Sequence, residues 1–263
     1  MPEVTLSRRQ KNLLMALLTR GGRKRARLCR CEGVRAVREL LDHQQELVEF
    51  IVTTPAGRQA LDRTAPGMFQ VDETEMASLS DLCNSQGVIA VAAIPEAETS
   101  SVRGDFILAL DQLNDPGNFG TIARTFRAVG GSELWYTSGS VDPWCDKAIR
   151  SGMGAQFALN CRKFSDLTEL CRQAEQAGYP EIFISTPRGG ENCFTAPKLF
   201  EKSVVVIGNE ANGVTTFPQG AHMVTIPMPG NFESLNAAQA ATVLLLEHVR
   251  RQTTAQSSAT DRT

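Results

Sequence analysis

Residues 106–124 read FILALDQLNDPGNFGTIAR, five apolar residues followed by a polar turn and a helical pattern. The run 106–110 has no polar interruption, which predicts a short strand buried on both faces. Pro116 and Gly117 force a turn, and Asp115 or Asn118 can cap the helix beyond it. Ile122, Phe126 and Val129 then recur at spacings of four and three, predicting a helix over 118–129 with Arg124 and Arg127 off its apolar stripe. The same order of strand, loop and helix repeats toward the C-terminus. Strands are predicted at 106–110, 133–137, 156–160, 181–185, 203–207 and 222–226, and helices at 118–129, 143–151, 165–177 and 234–250. Such alternation predicts an α/β domain with a parallel sheet covered on both faces, whose ligands sit beyond the carboxyl ends of the strands.

Two further strand-end loops have unusual composition. Gly208-Asn-Glu-Ala-Asn-Gly213 follows the apolar run SVVVI, and its glycines around Glu210 permit close approach of a ligand to backbone. Ile226-Pro-Met-Pro-Gly-Asn-Phe-Glu-Ser-Leu-Asn236 is extended by its prolines and leads into the last helix, with Ser234 as the expected N-cap. Leu235, Ala238, Thr242, Leu245 and Val249 follow at alternating three and four. That seam suits either the core of the chain itself or a subunit interface. Taken singly, each loop is also compatible with an ordinary strand-to-helix turn.

The front of the chain differs in texture. Leu13, Leu14, Leu17 and Leu18 predict a helix over 8–20 that Gly21-Gly22 ends. GGRKRAR reads as a basic loop, followed by a short strand over 26–32 and a helix from Glu32 to Leu41. Apolar runs at 47–52 and 88–94 read as buried strands. Residues 95–104 lack periodicity and supply the linker. The expected organisation is an N-terminal domain over 1–98, a linker over 99–104, a second domain over 105–251 and a polar, frayed tail over 252–263.

Composition excludes several classes. The 263 residues are 42% hydrophobic and 21% charged, as in a globular protein. No apolar run approaches the length of a membrane span, and the first residues show no secretory pattern, so a cytoplasmic location is expected. Seven cysteines without a CxxC pair, and three histidines without a metal-binding pattern, predict reduced thiols and no metal site. Neither a dinucleotide-binding G-x-G-x-x-G nor a P-loop is present. The net charge of −2 conceals an asymmetry. Residues 1–40 hold eleven Lys/Arg against three Glu, a surplus of eight, so the remainder carries a deficit of ten. A basic patch of this kind is the footprint of a polyanionic partner, with Arg23, Lys24, Arg25 and Arg27 as candidate RNA contacts.

Together and in this order, the three loops resemble the SpoU (TrmH-like) family of RNA ribose methyltransferases, of the SPOUT class. Asp115, Pro116, Asn118, Gly120 and Arg124 match its first motif; Gly208, Glu210 and Gly213 match the second. Ile226, Pro227, Met228, Ser234, Leu235 and Asn236 match the third. The front segment resembles the family's N-terminal RNA-binding domain less specifically. Two departures from the pattern stand out: Ala211 stands where Gly is common, and Ala237-Ala238-Gln239 replaces a frequent Val-Ser-Val.

The resemblance implies a C-terminal trefoil-knotted parallel-sheet domain with a smaller N-terminal α/β RNA-binding domain, assembled as a homodimer. It implies S-adenosylmethionine as cofactor, held by backbone around Thr186, Gly208, Ile226, Met228 and Leu235. The implied substrate is an RNA ribose 2′-hydroxyl, in ribosomal rather than transfer RNA. Arg124 is the implied catalytic group, with Asn118, Glu210, Ser234 and Asn236 around it and Glu210 orienting Arg124. A guanidinium is a poor base at neutral pH. Arg124 would therefore either grip a phosphate and stabilise developing negative charge, or lose its proton only in a site closed to water. The rival readings are a transfer-RNA methyltransferase, a non-catalytic RNA-binding protein that keeps the fold, and a nucleotide-dependent metabolic enzyme. Methyl transfer to RNA separates the first from the second, and NAD or ATP binding identifies the third.

Overall fold

Ser7 opens the first helix: its hydroxyl accepts from the Gln10 N–H while the Gln10 side chain accepts from the Ser7 N–H. In the computed structural model, which describes residues 6–65, 67–230 and 233–260, α1 (Arg8–Ala16) is followed directly by α2 (Arg20–Ala26). The basic stretch expected as a loop is thus a helix. Thr19 caps it and Arg27 closes it in the left-handed conformation. Its two glycines argue against a helix on propensity, but Gly22 is required: a Cβ there would run into the Ala16 carbonyl.

The chain continues through β1 (Leu28–Glu32), α3 (Val34–Gln44), β2 (Val48–Thr53), α4 (Pro55–Leu61), β3 (Met68–Gln70), α5 (Glu73–Leu79) and β4 (Val88–Ala93). These strands form one sheet in the order β1-β4-β2-β3, with β4 antiparallel to both neighbours. Next come β5 (Phe106–Leu110), α6 (Pro116–Ala128), β6 (Glu133–Thr137), α7 (Asp146–Gly152), β7 (Asn160–Phe164), α8 (Leu167–Gln176), β8 (Glu181–Ser185), β9 (Glu191–Asn192), β10 (Ser203–Ile207), β11 (His222–Thr225) and α9 (Ala237–Thr260). The second sheet has the order β7-β6-β5-β10-β8-β11-β9, and every pairing in it is parallel. Alternation along β5 divides its core. Phe106, Leu108 and Leu110 meet Phe119, Ile122 and Phe126 of α6 and Leu244 and Leu245 of α9. Ile107 and Ala109 face Leu167, Leu170 and Ala174 of α8.

The contacts divide the chain into Met1–Glu96 with Asp142–Ala158, and Ala97–Val141 with Leu159–Thr263. The second unit is therefore not the continuous stretch 105–251. Residues 142–158 leave it and pack with the first unit, where Asp142 pairs with Arg23 at 2.7 Å and the Phe157 carbonyl accepts from Gln44. Within that excursion the expected strand at 156–160 is a 3-10 turn at Ala155–Ala158. The Gln156 amide coils the segment back by donating to the carbonyls of Pro143 and Ala148. The expected linker 99–104 is tied to the second unit by the Glu98 backbone, which exchanges hydrogen bonds with the Asn160 side chain, and by the Arg103 N–H on Glu133.

The expected frayed tail is also corrected. The helix α9 runs to Thr260, with residues 261–263 outside the described region. Gln252 donates to Asp105, and Thr253 and Thr254 return their hydroxyls to the carbonyls of Val249 and Arg250. Among the described residues no helix is long and apolar enough to cross a membrane, and no cluster of side chains could hold a metal ion. Burial pushes the Cys29, Cys161 and Cys171 thiols up to about 12, so these groups stay protonated at neutral pH.

Candidate active site

The three unusual loops leave the carboxyl ends of β5, β10 and β11. Asp115 caps α6 by accepting from the Asn118 N–H at 2.7 Å, which fixes the Asn118 side chain on the first turn. The loop after β10 folds back on itself. Asn209 and Gly213 exchange both backbone bonds, Asn209 N–H to Gly213 O at 2.8 Å and Gly213 N–H to Asn209 O at 2.9 Å. Gly213 has φ +70, a left-handed turn that favours glycine. Gly208 lies against that turn, where a Cβ would clash with the Gly213 backbone. The third loop ends in Asn236, whose Oδ1 accepts from the N–H groups of Ala238 and Gln239. Asn236 therefore caps α9, one residue before its start, in place of the expected Ser234.

These caps aim three side chains at one another. Asn118 Nδ2 donates to Glu210 Oε1 at 2.7 Å, and Asn236 Nδ2 donates to Asn118 Oδ1 at 3.1 Å. One chain of hydrogen bonds thus crosses from the third motif through the first to the second. Arg124 is not in it. It stands on the exposed face of α6 and has no hydrogen-bond or ion-pair partner among the described residues. The expectation that Glu210 orients Arg124 is replaced by the observed bond from Asn118.

Beside this chain lies a cavity of about 470 Å³, lined by Thr186, Gly208, Ile226, Met228, Ser234 and Leu235, among others. All five expected cofactor residues line it, and so does Glu210. The cavity has the size of a small-molecule site. Ile207, Ile226, Met228, Leu235 and Ala240 give it apolar walls, while Glu210 and Glu233 give it negative charge. That combination fits a cofactor with a flat aromatic base at one end and cationic sulfonium and ammonium groups at the other. Asn209 and Glu233 escape a reading of the sequence because nothing marks them apart from the motif positions beside them.

The basic segment is sorted by burial. Lys24, Arg25 and Arg27 are exposed, and Arg27 holds Glu96 at the surface. Arg23 is corrected as an RNA contact. It is 4% exposed, and its guanidinium donates to the carbonyls of Leu17 and Leu18 and to Asp142. In a helix only part of a run of cations can face solvent, and Arg23 occupies the inward position.

Residues 105–246, more than half of the chain, match the SpoU rRNA Methylase family. The chain belongs to the SpoU rRNA methylase family. Residues 11–90 match the MRM3-like substrate binding domain. An uncharacterized tRNA/rRNA methyltransferase of Synechocystis is 30% identical over 181 residues, covering 67% of this chain and 65% of that one. The 23S rRNA (uridine(2479)-2'-O)-methyltransferase of Streptomyces viridochromogenes is 28% identical over 87% of this chain and 84% of its own length. The crystal structure of the SpoU methyltransferase AviRb from Streptomyces viridochromogenes, in complex with AdoMet, superimposes with a TM-score of 0.78 at 25% identity. The match covers 94% of this chain and 98% of that one. The SpoU fold expected from the motifs is thus the fold of this chain.

Proposed function

We propose that this SpoU family member transfers a methyl group from S-adenosylmethionine to a ribose 2′-hydroxyl of ribosomal RNA. The observation that carries the reading is the hydrogen-bonded chain Asn236–Asn118–Glu210 at the side of the cavity. It joins all three motifs, and none of its members is needed for a core.

The cofactor supplies an electrophilic methyl group when bound. Thr186, Gly208, Ile226, Met228 and Leu235 line the cavity and would hold it, and Glu210 and Glu233 would complement its positive charge. Asn118 and Asn236 keep the loops in the geometry that places the acceptor hydroxyl for in-line attack. Arg124, exposed and without a partner in the described chain, is available to grip an RNA phosphate and stabilise negative charge as it grows on the 2′-oxygen. Lys24, Arg25 and Arg27 of the substrate-binding unit supply salt-sensitive affinity.

Ribosomal RNA is favoured over transfer RNA because relatives named for 23S and mitochondrial ribosomal RNA match the chain over most of its length. A homodimer is part of the proposal. Ala238 and Leu245 of the expected seam pack into the chain's own core, but Leu246 on α9 is 56% exposed and is suited to a second copy. A cytoplasmic location is part of the proposal as well. The test is incubation with labelled cofactor and unmodified ribosomal or transfer RNA, followed by nucleoside analysis. A 2′-O-methyl nucleoside from ribosomal RNA is expected. Label in a base, or only in transfer RNA, would overturn the assignment of acceptor or substrate.

A further inference from the structure

Asp111 is fully buried at the end of β5. A carboxylate in that position is costly unless each oxygen is hydrogen-bonded. Here Oδ1 accepts from the Thr137 hydroxyl at 2.7 Å, and Oδ2 accepts from the Thr215 N–H at 2.7 Å and the Thr215 hydroxyl at 2.9 Å. Thr137 closes β6, and Thr215 lies just past the second motif. The Asp111 N–H continues the ladder to the Ile207 carbonyl. The next residue, Gln112, turns into the left-handed region at φ 51, and its carbonyl accepts from Asn209 Nδ2 at 2.9 Å. Its N–H donates to the Thr137 hydroxyl oxygen at 3.0 Å.

The loop from Gly208 to Thr215 is therefore anchored at both feet to the first-motif segment. Asn209 is one foot, on Gln112, and Thr215 is the other, on Asp111. At its tip Glu210 meets Asn118. Residues 208–213 also form one wall of the cavity. Thr215 itself is exposed, and the bonds to Asp111 hold it.

We infer that Asp111 is a positioning residue for methyl transfer: it holds the 208–215 loop at the distance that shapes the cofactor cavity and lets Glu210 meet Asn118. The inference rests on the proposed use of S-adenosylmethionine. Its action is through the loop, so the effect falls first on cofactor affinity. Asp111→Asn keeps the size but sets an amide N–H against a donor. Thr215→Val removes one of three bonds and leaves the fold's core untouched.

The experiment is calorimetric titration of S-adenosylmethionine into the wild-type chain, D111N and T215V, with hydrogen exchange of residues 208–216 measured on the same cofactor-free samples. D111N is expected to weaken binding about 10- to 100-fold, the range for hydrogen bonds to a buried charged group, and T215V about threefold, each with faster exchange confined to that loop. Thr215→Ser, which restores the hydroxyl, is expected to bind as wild type. Unchanged affinity and loop exchange in both D111N and T215V would overturn the inference, and so would T215V affinity that is lost but not restored by serine. Exchange that rises throughout the second unit would overturn it too, because Asp111 would then be a support of the whole sheet. Absence of binding by the wild type would instead count against the functional reading.

Discussion

Arg23 and Lys24 are adjacent in sequence and alike in charge, yet one lies inside the first unit and the other in solvent. Asn118, Glu210 and Asn236 are widely separated in sequence, and one chain of hydrogen bonds unites them. The basic helix and the three-motif site thus present opposite cases. In the first, a cluster in sequence is divided by structure; in the second, a dispersed set is assembled. Charge density alone does not say which residues are available to a partner, because helix rotation sorts them. Strand ends in a parallel sheet do converge, so residues in strand-end loops can be expected to meet.

The largest effect should break the basic helix into its two classes. Arg23→Ala removes a buried cation and leaves Asp142 without it, which is expected to cost about 3–5 kcal/mol and to register as a large fall in the unfolding midpoint. Replacing Lys24, Arg25 and Arg27 together should change stability by only about 0.5 kcal/mol per site. The same triple variant should lower the salt slope of RNA binding by about 2, since each phosphate contact contributes roughly 0.7 to 0.9. Equal stability loss in both variants would remove the distinction between them.

A smaller effect sharpens the other half of the comparison. Asn118→Ala cuts the hydrogen-bond chain at its middle member, losing the bonds to both Glu210 and Asn236. The rate of methyl transfer is expected to fall about tenfold, equivalent to about 1.4 kcal/mol for the two broken links together. Asn236→Ala breaks one of these links together with the α9 cap, and a transfer rate for Asn118→Ala within about twofold of wild type would show that the hydrogen-bond chain does not support catalysis.

Readable and unreadable features divide along the same line. The strand β5, its turn and α6 lie almost where the sequence predicts them, because their signals are local: an apolar run, Pro116, a capping Asp115 and a helical stripe. The convergence of the three motifs accords with their order along a parallel α/β pattern. Burial of Arg23 is not legible in the sequence, since it depends on Asp142, a residue 119 positions away. The return of 142–158 to the first unit rests on long-range pairs of the same kind. Asn236 rather than Ser234 caps α9, a choice between two capping residues decided by where the extended loop ends. Knotting is a property of threading, which leaves no mark in periodicity.

The smallest effect concerns α9. Burial holds His248 below the ordinary histidine range, and the neighbouring Asp105, which would raise it, does not offset that burial. The unfolded chain therefore binds a proton more readily than the folded one. Stability is fully present above about pH 6.5 and declines as pH falls below it toward the folded-state value. Denaturant titrations of the wild type and His248→Gln between about pH 7.5 and 5 should show a shallower acid decline in the variant. Parallel curves would assign the decline to other groups.

In the proposed reaction, cofactor binding belongs to the loops around the cavity and RNA activation to Arg124 outside it. The most direct test measures S-adenosylmethionine affinity and methyl-transfer rate side by side for the wild type and Arg124→Ala. Cofactor affinity within about twofold of wild type, with transfer reduced about 100-fold or more, is the predicted result. Cofactor affinity lost in parallel with transfer, or transfer that persists without Arg124, would contradict it.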